Sequence, residues 1–170
     1  MLLEALVLLV VPLGLAFAAA SDLMTMTIPN RLQLVLIGAF ALAALAAGLD
    51  LTTLGLHLGA GFLVLAIAFG CFAFGWIAGG DAKLAAVTAL WLGFGPALMQ
   101  YLLLAAIYGG VLTLGLLWVR TQPLPALLAG QPWVLRLHDA KSGVPYGIAL
   151  GAAALTVWPH TIWMRIVLGG

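Results

Sequence analysis

Two carboxylates, Asp22 and Asp81, are the residues in this chain whose type and placement suggest chemistry. Asp22 closes the first apolar run in SDLMTMTIPN, and Asp81 follows two glycines in AGGDAKL. The chain has only five acidic residues. An ionisable group beside membrane-length apolar segments is costly and marks a candidate functional site. Two carboxylates that meet share a proton, so that one activates a water and the other acts as an acid toward a peptide bond.

Each aspartate also has a purely structural interpretation. Asp22 is then a charge at the end of a helix, and Asp81 is the N-cap of the helix that follows it, a position where aspartate is common. Composition and topology leave the structural and the functional interpretations equally open. Asp139 lies in a polar stretch beside His138 and Lys141, which indicates a solvated loop charge.

The composition predicts an integral membrane protein. The 170 residues are 65% hydrophobic and only 6% charged, whereas a soluble domain has about a quarter of its residues charged. We therefore expect a single all-α domain over 1–170, a polytopic bundle of about six transmembrane helices. The net charge of +1 gives no indication of a nucleic-acid partner.

Six apolar runs are long enough to consider as spans. The fourth run is short, so we expect its helix to extend past the Gly95-Pro96 break or to lie in a locally thinned bilayer. The runs cover residues 2–20, 32–49, 54–78, 84–94, 97–119 and 144–158. We interpret the first as a retained helix, because Glu4 stands where a signal peptide carries basic residues.

Basic residues predict the orientation of the bundle. With six alternating spans, five of the six lysines and arginines lie on the face that carries Asp22 and Asp81. The positive-inside rule makes that face cytoplasmic and the N-terminus periplasmic. The five are Arg31, Lys83, Arg120, Arg136 and Lys141, and Arg165 lies on the opposite face.

No metal site or cofactor is predicted. Cys71 is the one cysteine, and no histidine or cysteine pair has the spacing of zinc ligands. His57 is expected to be a buried or interfacial histidine. Four tryptophans near the ends of spans suggest aromatic belts at the membrane interfaces, namely Trp118, Trp133, Trp158 and Trp163.

Three motifs resemble those of the type IV prepilin peptidases. SDLMTMTIPN resembles the family's Asp-x-x-x-x-x-Ile-Pro-Asn signature, and AGGDAKL resembles its GxGD-x-K-L signature. VPYGIALGAA, residues 144–153, is similar to the Pro-Tyr-Gly-Ile/Val-Ala segment of the family's final helix. The order and spacing of the motifs also fit, so the resemblance covers essentially the whole chain.

The resemblance implies an intramembrane aspartic protease of the GxGD type in the bacterial inner membrane. Such enzymes cut the short basic leader from prepilins at the cytoplasmic face and leave the pilin helix in the bilayer. The matching catalytic residues are Asp22 and Asp81. The implied partners are the prepilin helix and the lipid bilayer, with no cofactor.

The resemblance also suggests a subgroup. Larger members carry an N-terminal cytoplasmic insertion with two cysteine pairs and methylate the new N-terminus. This chain has one cysteine and no such insertion. It therefore resembles the small, peptidase-only members that accompany Flp-type tight-adherence pili, the group of the proteins called TadV and CpaA.

Several residues of these motifs are expected to support the two aspartates. Pro29 and Asn30 shape the turn that holds Asp22, with Asn30 as a possible N-cap of the second helix. Lys83 either orients the aspartates or anchors its helix at the membrane interface. Tyr146 is expected to make a structural hydrogen bond.

One position departs from the family pattern. Ala78 stands where GxGD has its first glycine, while Gly79 and Gly80 supply flexibility before Asp81. The departure leaves open an inactive scaffold of a pilus assembly system. A small proton-coupled carrier is the third hypothesis, and it is disfavoured because no acidic residue lies in the middle of a predicted span.

Overall fold

The computed structural model describes residues 1–125, 127–128 and 130–169, and the ordered elements within those ranges are helical. The predicted all-α class is confirmed. A π-helical turn, Leu6–Val10, lies within the first helix, and a 3₁₀ turn, Trp158–His160, precedes the last one. The helices are α1 (Leu2–Thr25), α2 (Asn30–Ala47), α3 (Leu51–Ala73), α4 (Gly79–Leu92), α5 (Pro96–Arg120), α6 (Pro132–His138), α7 (Tyr146–Val157) and α8 (Ile162–Leu168).

Four of these helices, α1, α2, α3 and α5, are long and apolar enough to cross a membrane. The helical membrane bundle is thus confirmed, but the predicted fourth and sixth spans are shorter. They correspond to α4 with 14 residues and α7 with 12 residues. At about 1.5 Å per residue these helices reach roughly 21 and 18 Å, against a hydrocarbon core of about 30 Å.

The two short helices lie at the centre of the bundle. Helix α4 packs against α2, α3 and α7, and α7 packs between α1 and α5. Small residues permit the close approach of α7 to α1. A Cβ atom at Gly151 would lie only 2.9 Å from the carbonyl oxygen of Leu15.

Helix α1 continues past the end of the first apolar run, which the sequence places before Asp22. The helix ends only at Thr25, where Met26 adopts a left-handed conformation with φ of 55°. Polar side chains in the last turn bond to nearby carbonyl groups, including a 2.8 Å bond from Ser21 Oγ to the oxygen of Thr27. Asp22 therefore lies inside a helix, one turn before its end.

Helix α4 differs from its predicted course at both ends. The expected extension past Gly95-Pro96 is wrong, because α4 ends at Leu92 and α5 begins at Pro96. Gly93 has φ of +67°, a backbone conformation that residues other than glycine rarely adopt. The helix instead gains length at its start, where Gly79 precedes the apolar run.

An aromatic cluster fills the end of the bundle opposite the aspartates. The placement of Trp158 and Trp163 in an interfacial belt is wrong, because both are buried, at 4% and 0% exposed. Trp163 Nε1 donates to the carbonyl oxygen of Trp91 at 2.6 Å. His57 is buried as expected, and its Nδ1 donates to the carbonyl oxygen of Leu90 at 2.8 Å.

Candidate active site

The carboxylate of Asp22 is buried in the last turn of α1 and bonded to the start of α7. Its side chain is 5% exposed. The backbone N–H of Gly147, the second residue of α7, donates to Asp22 Oδ2 at 2.7 Å. The first N–H groups of a helix lack partners within the helix and readily bind a carboxylate. Asp22 thus lies near a helix end, as the structural interpretation expected, but it is buried and bonded to a second helix.

Asp81 is the third residue of α4 and is also buried, at 7% exposed. The interpretation of Asp81 as the N-cap is wrong, because Ala78 occupies that position. Ala78 has φ of −77° and ψ of 150°, an extended conformation that any residue adopts. The backbone conformation therefore does not require a glycine at this first position of the GxGD pattern.

Ile28 lies close to two glycines, one beside each aspartate. A Cβ atom at Gly80 would lie 3.4 Å from Ile28 Cβ, and one at Gly147 would lie 2.9 Å from Ile28 Cδ1. Gly80 precedes Asp81, and Gly147 binds Asp22. Ile28 therefore lies beside both the residue that precedes Asp81 and the residue that binds Asp22. The structure thus brings the two predicted residues into one buried site.

Gly147 is a member of this site that the sequence analysis missed. A Cβ atom there would lie 2.8 Å from Asp22 Cβ and 2.9 Å from Asp22 Oδ2, so no larger residue fits without displacement. By contrast, a Cβ at Gly79 would meet Phe72 at 3.5 Å, an ordinary contact. The available signal was the glycine directly after Pro-Tyr at the start of a helix.

Asn30 and Lys83 bind each other beside the site. Asn30 is the first residue of α2, and Pro29 is the N-cap, so the N-cap prediction for Asn30 is wrong. The side chain of Asn30 turns toward α4, where its Oδ1 accepts a 2.9 Å hydrogen bond from Lys83 Nζ. Pro29 and Asn30 thus form the end of the turn that follows Asp22.

Tyr146 connects α7 to α5. Its hydroxyl lies 3.1 Å from Thr113 Oγ1, which itself donates to the carbonyl oxygen of Gly109 at 2.7 Å. Because the hydrogen of Thr113 is used, the Tyr146 hydroxyl is the donor to Thr113. This bond fixes the residue next to Gly147.

Two arginines, which the sequence analysis used only for orientation, hold the α5–α7 connection over this end of the bundle. Arg120 donates from Nε to the carbonyl oxygen of Leu137 and from Nη2 to that of Gly143, each at 2.8 Å. Arg136 on α6 donates to the carbonyl oxygen of Met24 at 2.8 Å, two residues beyond Asp22. The segment before α7 is thereby bound to both α5 and α1.

The chemistry open to this arrangement is that of a buried carboxylate pair. Within residues 1–125, 127–128 and 130–169, no three side chains of His, Cys, Asp or Glu converge as a metal site. Two adjacent carboxylates can divide the roles of base and acid between them.

Comparisons with known proteins identify the same family as the sequence motifs. The model of the type IV leader peptidase family matches residues 9–114, a range that includes both aspartates. The chain is 37% identical over 144 residues to a Bacillus subtilis (strain 168) protein named prepilin leader peptidase/N-methyltransferase. That alignment covers 81% of this chain and 58% of the relative, so the chain spans little more than half the relative's length. No solved structure matches significantly.

Proposed function

The chain belongs to the type IV leader peptidase family, and from this premise we propose that it is an intramembrane aspartic endopeptidase that cleaves the leader from prepilins. The observation that carries the proposal is the buried placement of Asp22 and Asp81 in one site, with Asp22 Oδ2 held by the N–H of Gly147 at 2.7 Å. We assign the catalytic roles to these two residues.

The proposed reaction uses the pair as a unit. One carboxylate takes a proton from a water while the oxygen of that water attacks the carbonyl carbon of the scissile peptide bond. The other carboxyl gives its proton to the departing amine as the C–N bond breaks. The proton taken from the water restores the starting state of the pair. Because the aspartates titrate together, the proton belongs to the pair rather than to either residue.

We propose that the site faces the cytoplasm. Five of the six basic residues fall on its face under the six-segment topology. Two of these basic residues, Arg120 and Arg136, lie at the end of the bundle that carries Asp22. Their hydrogen bonds hold the α5–α7 connection near Met24. A basic leader, which the family resemblance implies, is attracted by an acidic pair at the same face.

We further propose a Flp-type prepilin substrate and no methyl transfer. In the larger members an insertion with two cysteine pairs accompanies methylation. Cys71 in α3 is the one cysteine of this sequence. The name of the Bacillus subtilis relative includes N-methyltransferase, and our proposal separates this chain from that second activity.

The main alternative is an inactive scaffold of a pilus assembly system. This alternative arises because Ala78 stands where the GxGD pattern has its first glycine. The extended conformation of Ala78, with φ of −77°, removes the backbone reason for that glycine, so we favour the active enzyme. A proton-coupled carrier is less favoured, since both buried aspartates lie at one end of the bundle.

Co-expression with a Flp-type prepilin tests the proposal. We expect the prepilin to lose its leader, seen as a gel shift, and to carry an unmethylated new N-terminus by mass spectrometry. An intact leader on every prepilin encoded nearby would favour the scaffold. A methylated N-terminus would contradict the peptidase-only assignment and leave the cleavage itself intact.

A further inference from the structure

A cleft of about 420 Å³ lies between α2, α3 and α4, and its lining includes neither Asp22 nor Asp81. Its walls are apolar over most of their length. At one end it carries Asn30 and Lys83, and Gln33 lies one turn further along α2. The apolar lining includes Ile37 of α2, Phe62 of α3 and Leu90 of α4.

Gln33 is the unusual residue of this cleft. Its side chain is only 4% exposed, and neither Oε1 nor Nε2 has a hydrogen-bond partner. Buried amides are almost always hydrogen-bonded, since an unsatisfied polar group in an apolar setting costs about 1–3 kcal/mol. An unpaired amide that lines a cleft therefore indicates a ligand with a polar atom at that depth.

Lys83 supplies a positive charge at the mouth of the cleft. Its Nζ donates to Asn30 Oδ1, a neutral acceptor, so the charge is not compensated by that contact. Among the described residues the single ion pair joins the N-terminal amine to Glu4. The site is thus suited to an anionic group at the level of Lys83.

We propose that this cleft binds one anionic phospholipid of the leaflet on the aspartate side. The phosphate lies at Lys83 and Asn30, and an ester carbonyl one turn deeper accepts from Gln33 Nε2. The acyl chain follows the apolar wall along Ile37 and Phe62. Basic pockets between transmembrane helices on the cytoplasmic side bind anionic head groups in this manner.

The geometry of α4 separates this cleft from the peptidase site. Lys83 follows Asp81 by two residues, a rotation of about 200° around the helix axis. A transmembrane peptide in the cleft would therefore lie behind α4 and could not present a bond to Asp81. For this reason we assign the cleft to a lipid and not to the substrate helix.

Native mass spectrometry of the purified protein tests the assignment without any measurement of proteolysis. Phosphatidylglycerol and phosphatidylcholine with identical acyl chains are added in competition. We expect the wild type to prefer phosphatidylglycerol by about fivefold, the effect of one basic residue near an anionic head group. Lys83→Met, which keeps the apolar stem, is expected to bring the ratio near one. Gln33→Leu is expected to reduce the occupancy of both lipids.

Matched controls are available on the same chain. Lys141→Met removes an exposed cation outside the cleft, and Gln100→Leu removes an exposed amide of α5, so both should leave binding unchanged. Ile37→Trp narrows the cleft from a half-exposed position and should exclude the acyl chain while the fold is kept.

Three results would overturn the proposal. The first is equal binding of the two lipids by the wild type. The second is a ratio that Lys83→Met does not change, or an occupancy that Gln33→Leu and Ile37→Trp do not change. The third is displacement of phosphatidylglycerol by millimolar inorganic phosphate, which would assign the site to a free anion.

Discussion

The backbone N–H of Gly147 donates a 2.7 Å hydrogen bond to Asp22 Oδ2, across 125 positions of the sequence. The bond joins the end of α1 to the start of α7 and holds one carboxylate of the proposed pair. It also explains why the second residue of α7 is a glycine, since a Cβ atom there would lie 2.8 Å from Asp22 Cβ. The third sequence motif is thus part of the site itself.

Gly147→Ala is expected to reduce prepilin cleavage by about 100-fold, since a displacement of about 1 Å at a reacting group has an effect of that size. The added methyl would push on Asp22 and Ile28 together. The measurement is the initial rate of leader removal in proteoliposomes. Gly110→Ala is the matched control, because a Cβ at Gly110 meets no atom within 4 Å. Equal rates for both variants would contradict the role of Gly147.

Ala78→Gly restores the family pattern and is expected to change the cleavage rate by less than about threefold. Ala78 is the N-cap of α4 in an extended conformation that alanine and glycine both adopt, so the change should not move Asp81. The same proteoliposome assay measures the change. An increase of tenfold or more would mean that the first glycine acts through a motion that α4 must make.

Asp50, on the opposite face, should make stability depend on pH. Its side chain caps α3, and the hydroxyl of Thr53, the largest cause, lowers the pKa of Asp50 below its ordinary value of 3.8. A carboxylate with a lowered pKa stabilises the folded state above the ordinary value, and this contribution is lost as the pH falls through the folded-state pKa.

Thermal unfolding in detergent measures the effect. Asp50→Ala should lower the Tm at pH 6, and its difference from the wild type should shrink toward pH 3. Asp50→Asn is the control, because asparagine is also a good N-cap and does not titrate. A difference that stays constant with pH would show that protonation of Asp50 does not affect the fold.

The sequence predicted the helical membrane class and the family, and both are confirmed. The mutual bond of Asn30 and Lys83 could not be predicted, since their side chains are 53 positions apart and either could have faced the aspartates. The partner of Asp22 was harder to predict for another reason, because the donor is a backbone N–H and the glycine after Pro-Tyr was its one signal in the sequence. The prediction put Trp158 and Trp163 at the membrane interface, because tryptophan near the end of a span is equally typical of an interface belt and of a buried aromatic cluster.

The separate replacement of each aspartate tests the central claim most directly. Purified wild type, Asp22→Asn and Asp81→Asn are reconstituted with a Flp-type prepilin, with Asp139→Asn as a control from the polar connection before α7. We predict that each of the first two changes lowers the rate of leader cleavage by about 10³-fold or more, since each removes a general acid or base. Asp139→Asn should retain the wild-type rate. Cleavage that persists in both Asp22→Asn and Asp81→Asn would contradict the catalytic pair.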